Sequence, residues 1–119
     1  MSEPKSKGYL PLSPVTLHVL VALLEGPKHG YRVKREVEDR TEGVVRLGAG
    51  TLYQALQRLR REGLICETEP GEGELAESPR WRFYRTTPRG ERVVRAELVR
   101  LQADLEYANA TLRVAREQA

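Results

Sequence analysis

Apolar residues recur in helical steps through most of the chain, and the breaks between those runs fall at glycine and proline. The first run opens at Ser13-Pro14, a hydroxyl side chain suited to capping, followed by a proline at the first helical position. Leu17, Leu20, Val21 and Leu24 then follow at i, i+3, i+4 and i+7. They predict the buried face of a helix, with Leu12 and Leu17 at hydrophobic-staple positions and Gly26-Pro27 as its end. A second, mostly polar helix is predicted over 30–41, with Val33 and Val37 inward and Glu42-Gly43 as its exit. Residues 44–47 read as a short strand. Gly48-Ala49-Gly50 opens a third helix in which Leu52, Ala55, Leu56 and Leu59 repeat the spacing, and Gly63 closes it.

Residues 64–68 and 81–86 are rich in apolar, aromatic and β-branched side chains and flank a Gly-, Pro- and Glu-rich turn, the pattern of a β-hairpin with a long tip. Thr87-Pro88 repeats the cap-plus-proline start, and no Gly or Pro follows Gly90, so one long helix is predicted to the end. The fold class is therefore mainly α with a small β-hairpin: a winged helix-turn-helix plus a long C-terminal dimerisation helix. The expected organisation is a flexible arm over 1–11, a DNA-binding domain over 12–87 and a dimerisation helix over 88–119.

At 119 residues the chain holds one domain with one core. Its net charge of +3 is modest, so a nucleic-acid partner requires that the positive charge be locally concentrated. No apolar run approaches the roughly 20 residues that span a bilayer, and the N-terminus lacks the apolar stretch of a signal peptide. A soluble, cytoplasmic protein without a membrane partner is expected. The single cysteine, Cys66, has no Cys or His at metal-ligand spacing and reads as a small packing residue. His18 and His29 join no Ser/His/acid or metal grouping. Glu72 and Glu74 sit in a loop too Gly-rich to hold an acid–base pair at fixed geometry. The expectation is a protein that is not an enzyme and has no cofactor.

On a wheel of about 100° per residue, the third helix places Gln54, Gln57 and Arg61 opposite its apolar stripe, flanked by Thr51 and Arg58 on one side and by Tyr53 and Arg60 on the other. Residues 44–61 carry Arg46, Arg58, Arg60 and Arg61 and no acid. Gln pairs with adenine edges, Thr reaches a base or a thymine methyl, and Arg pairs with guanine or phosphate. Thr51, Tyr53, Gln54, Gln57, Arg58 and Arg61 are thus candidate contacts to double-stranded DNA. Alone, this face also fits a solvated amphipathic helix; the helix before it and the hairpin after it favour the DNA reading.

Several segments resemble the PadR-like transcriptional regulators: Leu23-Leu24 with His29-Gly30-Tyr31, then Gly50-Thr51-Leu52-Tyr53-Gln54-Ala55-Leu56 with Leu59, then Glu62-Gly63-Leu64-Ile65, then Tyr84-Arg85-Thr86 with Gly90. The short C-terminal part is similar to the smaller subgroup of that family. The resemblance implies a homodimer that usually represses genes, often in answer to a small aromatic or drug-like compound or another stress. Two features depart from the pattern. Gln54 stands where many members have Pro, and Glu67, Glu69, Glu72, Glu74 and Glu77 precede the first base of the wing, Arg80.

In the last helix Val94, Leu98, Leu101, Leu105, Ala108, Leu112 and Ala115 follow steps of four and three, the a/d spacing of a coiled coil. Its first turns are expected to fold back on the first helix and the rest to pair with a second chain. In the hairpin, Arg82 and Arg85 of the returning strand, with Lys5 and Lys7 of the arm, are expected to contact the DNA backbone. The acidic tip is expected to stay outside the groove and to brake non-specific binding. Trp81, Phe83, Tyr84 and Tyr107 are candidate aromatic walls for a ligand. The combined reading is a sequence-specific repressor on an inverted-repeat operator, released by a small-molecule inducer. The alternative is a winged-helix protein-interaction module with weak or no DNA binding.

Overall fold

α1 (Pro14–Leu24) begins where a side chain can take up a helix-end N–H: Ser13 Oγ accepts from Thr16 N at 3.1 Å, and Pro14 follows as the first helical residue. The computed structural model describes residues 8–70 and 81–118. The helix buries Thr16, Val19, Leu20, Ala22 and Leu23, so of the predicted row Leu20 alone is fully buried. Leu17 and Val21 are half-buried and Leu24 is 42% exposed. The helix is apolar on nearly every side, so two rows one position apart satisfy the same periodicity. Thr16 belongs to the buried row, its Oγ1 accepting from Arg58 of the third helix at 2.6 Å.

β1 (Lys28–His29) was not anticipated, being two residues long with a lysine at 2% exposure. That lysine is tolerated because its ammonium is paired with Glu25 and with Glu36. α2 (Gly30–Arg40) follows, capped by His29 Nδ1, which accepts from Arg32 N at 3.2 Å. Its exit runs through Glu42 at φ +52° and Gly43 at φ +81°. Residues 44–47 form no strand, because side chains satisfy their backbone. Thr41 Oγ1 accepts from Val45 N at 3.0 Å and Glu38 Oε2 from Leu47 N at 3.2 Å.

α3 (Ala49–Arg61) buries Leu52, Ala55, Leu56 and Leu59, as the periodicity predicted. It ends in paired turns: Gly63 N donates to Arg60 O at 3.0 Å and Leu64 N to Leu59 O at 2.9 Å, with Gly63 at φ +76°. Glycine adopts that backbone without steric cost. β2 (Ile65–Thr68) pairs antiparallel with β3 (Phe83–Thr86), whose other edge takes β1, giving the sheet order β1-β3-β2.

α4 (Pro88–Gln118) starts at Thr87, whose Oγ1 accepts from Gly90 N at 3.0 Å and donates to Gly63 O at 2.6 Å. Val93 and Val94 are buried in the chain's own core with Leu20, Leu23, Leu64 and Ile65. Val94 is therefore removed from the stripe offered to a second chain. Glu97, at 1% exposure, accepts from Leu12 N at 2.9 Å and from Arg100 at 2.6 and 3.0 Å, tying the helix to the start of α1. Order also reaches farther back than Leu12, for Tyr9 and Leu10 pack against the core and Tyr9 accepts from Arg89 at 2.6 Å.

Candidate nucleic-acid interface

The helix-turn-helix is α2, the loop that Glu38 and Thr41 pin, and α3. The Leu47 N–H and Lys34 hold the Glu38 carboxyl below its ordinary range, so at neutral pH the loop is anchored by a full negative charge. Glu36 is likewise lowered; burial alone would raise it, but hydrogen bonds from Lys28 and Arg32 outweigh that. These pairs fix α2 as the shelf on which α3 rests.

The buried stripe of α3 turns Thr51, Tyr53, Gln54, Arg58 and Arg61 outward, all exposed, with Gln57 half-buried beside them. Thr51, Gln54, Gln57, Arg58 and Arg61 line one side of an open groove of about 520 Å³ whose other side is Ser13, Val15 and Thr16 at the start of α1. Sequence reasoning missed the α1 wall, since the capping serine accounts for itself structurally. α3 has no acidic residue and carries Arg58, Arg60 and Arg61 in its last turn. Its surface presents amide and guanidinium donors above a rigid core, which suits base edges and phosphates.

The wing carries its charge differently. Glu67 on β2 pairs with Arg60 at 2.8 Å and with Arg82 at 3.4 Å, so one carboxylate of the acidic hairpin is already matched by bases on α3 and on the returning strand. Arg85 on β3 is exposed and stands across from Cys66, itself half-buried. Burial, with Glu67 nearby, pushes the Tyr84 phenol up from its ordinary value. Glu72, Glu74, Glu77 and Arg80, and Lys5 and Lys7 of the arm, lie outside the described residues.

The aromatic residues separate into three places. Trp81 and Tyr84 meet at a cleft beside α3, Phe83 lies edge-on to His29 at 5.5 Å between centroids, and Tyr107 is 75% exposed on the far part of α4. On that part Leu98, Leu105 and Leu112 are 51%, 55% and 67% exposed, Ala108 is exposed and Leu101 is half-buried. Val99, Tyr107 and Val114 are exposed as well, on another side of the helix.

Residues 19–96 match the model of the transcriptional regulator PadR-like family. An uncharacterized protein of Lysinibacillus sphaericus is 28% identical over 88 residues, covering 74% of this chain and 77% of that one. A PadR family transcriptional regulator of Eggerthella lenta, 25% identical, superposes with a TM-score of 0.66 over 92% of this chain and 86% of its own. PadR of Bacillus subtilis, solved in complex with operator DNA, superposes at 0.60 with 20% identity, over 73% of this chain and 48% of its own.

Proposed function

The chain belongs to the PadR-like family of transcriptional regulators, whose members are not enzymes, and on that premise we propose that it is a homodimeric repressor reading an inverted-repeat operator through α3. The carrying observation is the acid-free outward face of α3, where Thr51, Gln54, Gln57, Arg58 and Arg61 border one groove. Gln54 and Gln57 contact base edges, while Arg58, Arg61, Arg82 and Arg85 meet phosphates and Tyr53 lies along the backbone. Residues 12–87 form the DNA-binding unit and 88–119 the dimerisation element. A small-molecule inducer releases the operator.

Dimerisation is supported by α4. At 31 residues and about 1.5 Å per residue it is roughly 46 Å long, and beyond Leu101 all its described residues are exposed. Leu98, Leu101, Leu105, Ala108 and Leu112 need a second apolar surface, and another copy supplies one. A two-fold axis then sets two α3 helices roughly 34 Å apart, one turn of duplex DNA.

The test is fluorescence anisotropy with the inverted repeat upstream of the gene and with random duplex, across salt concentrations, beside light scattering. Gln57→Ala should cost about 1 to 3 kcal/mol on the operator alone. Arg61→Ala should weaken both duplexes and reduce the salt slope by about one. A monomer at micromolar concentration refutes the dimer, and unchanged affinity in both variants refutes α3 as the reading element.

A further inference from the structure

Arg58, Arg60 and Arg61 close α3, and their partners differ. Arg60 is matched by Glu67 at 2.8 Å, but among the described residues no carboxylate pairs with Arg58. Its exposed guanidinium is nevertheless held, because Nη2 donates to Thr16 Oγ1 of α1 at 2.6 Å. Thr16 is only 5% exposed, and its hydroxyl oxygen also accepts from Ser13 Oγ at 2.9 Å, while Ser13 Oγ accepts from Thr16 N at 3.1 Å. The acceptor is thus locked into the helix cap and cannot swing to follow the guanidinium. Just before the cap, Leu12 N donates to the buried Glu97 of α4 at 2.9 Å, which anchors the start of α1 in turn. Ser13, Thr16 and Arg58 line both the groove of about 520 Å³ beside α3 and a neighbouring concavity of about 350 Å³ that reaches back to Tyr9 and Pro11, so the bonded pair stands at the boundary of the two.

A neutral hydroxyl orients a guanidinium without cancelling its charge, as a carboxylate in the same place would do. An arginine free in solution loses rotamer freedom when it grips a phosphate, whereas one already held loses less. The phosphate contact carries no sequence information of its own; it fixes the register of the protein on the duplex. Gln54 lies about one turn before Arg58 on α3, and both border the same groove, so the place of the phosphate under Arg58 decides which base edge Gln54 meets. We propose that Thr16 is a positioning residue for sequence recognition: it holds the Arg58 guanidinium at one point, and Arg58 thereby sets the register of α3 on the operator. The inference rests on the operator-binding reading and adds to it a buried residue of α1 that acts through Arg58.

The test removes the hydroxyl and keeps the shape: Thr16→Val, with Thr16→Ser as the variant that restores the acceptor, each made in the full chain and confirmed as folded by circular dichroism. The probes are a duplex carrying the inverted repeat upstream of the gene and a random duplex, titrated by fluorescence anisotropy across salt concentrations. Thr16→Val should bind the operator about three- to tenfold more weakly, the cost of ordering one long side chain on binding. Random duplex should change by less than about twofold and the salt slope not at all, since no charge is removed. Thr16→Ser should regain the parent's affinity. Arg58→Ala should weaken both duplexes and reduce the slope by about one, and adding Thr16→Val to it should change DNA affinity no further. In the free protein, nitrogen-15 relaxation at the Arg58 Nε–H should report an ordered side chain in the parent and in Thr16→Ser, and a mobile one in Thr16→Val. An unchanged operator-to-random ratio in Thr16→Val overturns the inference. So does a further loss in the double variant, which would make the bond a brace between helices and nothing more. A mobile Arg58 Nε–H in the parent overturns it whichever variants fold. A parent that binds operator no better than random duplex refutes the operator reading itself, and the inference falls with it.

Discussion

Gly90 sits where α4 crosses the junction between α3 and β2, and replacing it by alanine should loosen the whole attachment. A methyl group there lies 2.1 Å from the Leu64 carbonyl oxygen and 2.7 Å from Thr86 Cγ2. Since ordinary contacts are roughly 3.5 Å, the helix and the junction must part by more than an ångström. Leu64 O cannot yield freely: it accepts from Thr87 N at 3.0 Å, while Thr87 Oγ1 donates to Gly63 O at 2.6 Å. Overpacking of this kind costs about 1–3 kcal/mol, and each stretched hydrogen bond adds up to about 1 kcal/mol. Against that, alanine returns at most about 1 kcal/mol of helix propensity over glycine. The net expectation is a loss of about 2–3 kcal/mol. Urea unfolding followed by circular dichroism, at one fixed protein concentration, should show the midpoint falling by roughly 1–3 M for a slope of about 1–2 kcal/mol per molar. A midpoint at or above the parent's would show that helix propensity outweighs the clash, and the close approach would then carry no stability.

Two further perturbations test other joints. Arg100 and the Leu12 N–H hold the Glu97 carboxyl below its usual range against the opposing effect of burial, so its contribution to stability is complete above the unfolded-state value near 4.5 and is lost as pH falls through the lower folded value. Glu36 and Glu38 are lowered as well, so the midpoint should drop steadily below about pH 5. Glu97→Gln should be less stable than the parent at pH 7 by about 1–3 kcal/mol and flatter in its acid dependence; parallel pH profiles would refute the assignment. Glu42, at φ +52°, occupies the left-handed position where α2 ends, with Glu42 N donating to Asp39 O at 3.2 Å and Gly43 N to Glu38 O at 2.8 Å. Glu42→Gly should therefore stabilise by about 1 kcal/mol, and an unfolding midpoint lower than the parent's would refute the strain.

What the sequence made legible follows from how many physical constraints bear on each segment. α3 was readable in extent and phase because one face is continuously apolar, with Leu52, Ala55, Leu56 and Leu59 buried and the rest, Tyr53 aside, polar or small. α1 was readable in extent, through Ser13-Pro14 and Gly26, but not in phase, because an all-apolar helix leaves its orientation to its neighbours. β1 and the pinned loop after α2 share a different obscurity. Each depends on a pairing distant in sequence or on a side chain substituting for a strand partner, and no local pattern encodes either. The same asymmetry governs the two flanks of α3. The groove with Gln54, Gln57, Arg58 and Arg61 could be drawn from one helical wheel, whereas the aromatic cleft joins Tyr31, Tyr53 and Trp81 from three segments that only the tertiary fold assembles. Residues serving one element's amphipathicity announce themselves in the sequence. Trp81 and Tyr84 could be named from the aromatic run of the returning strand, whereas Tyr31 and Tyr53 signal the cleft only by breaking the amphipathic pattern, as large rings left on a polar face.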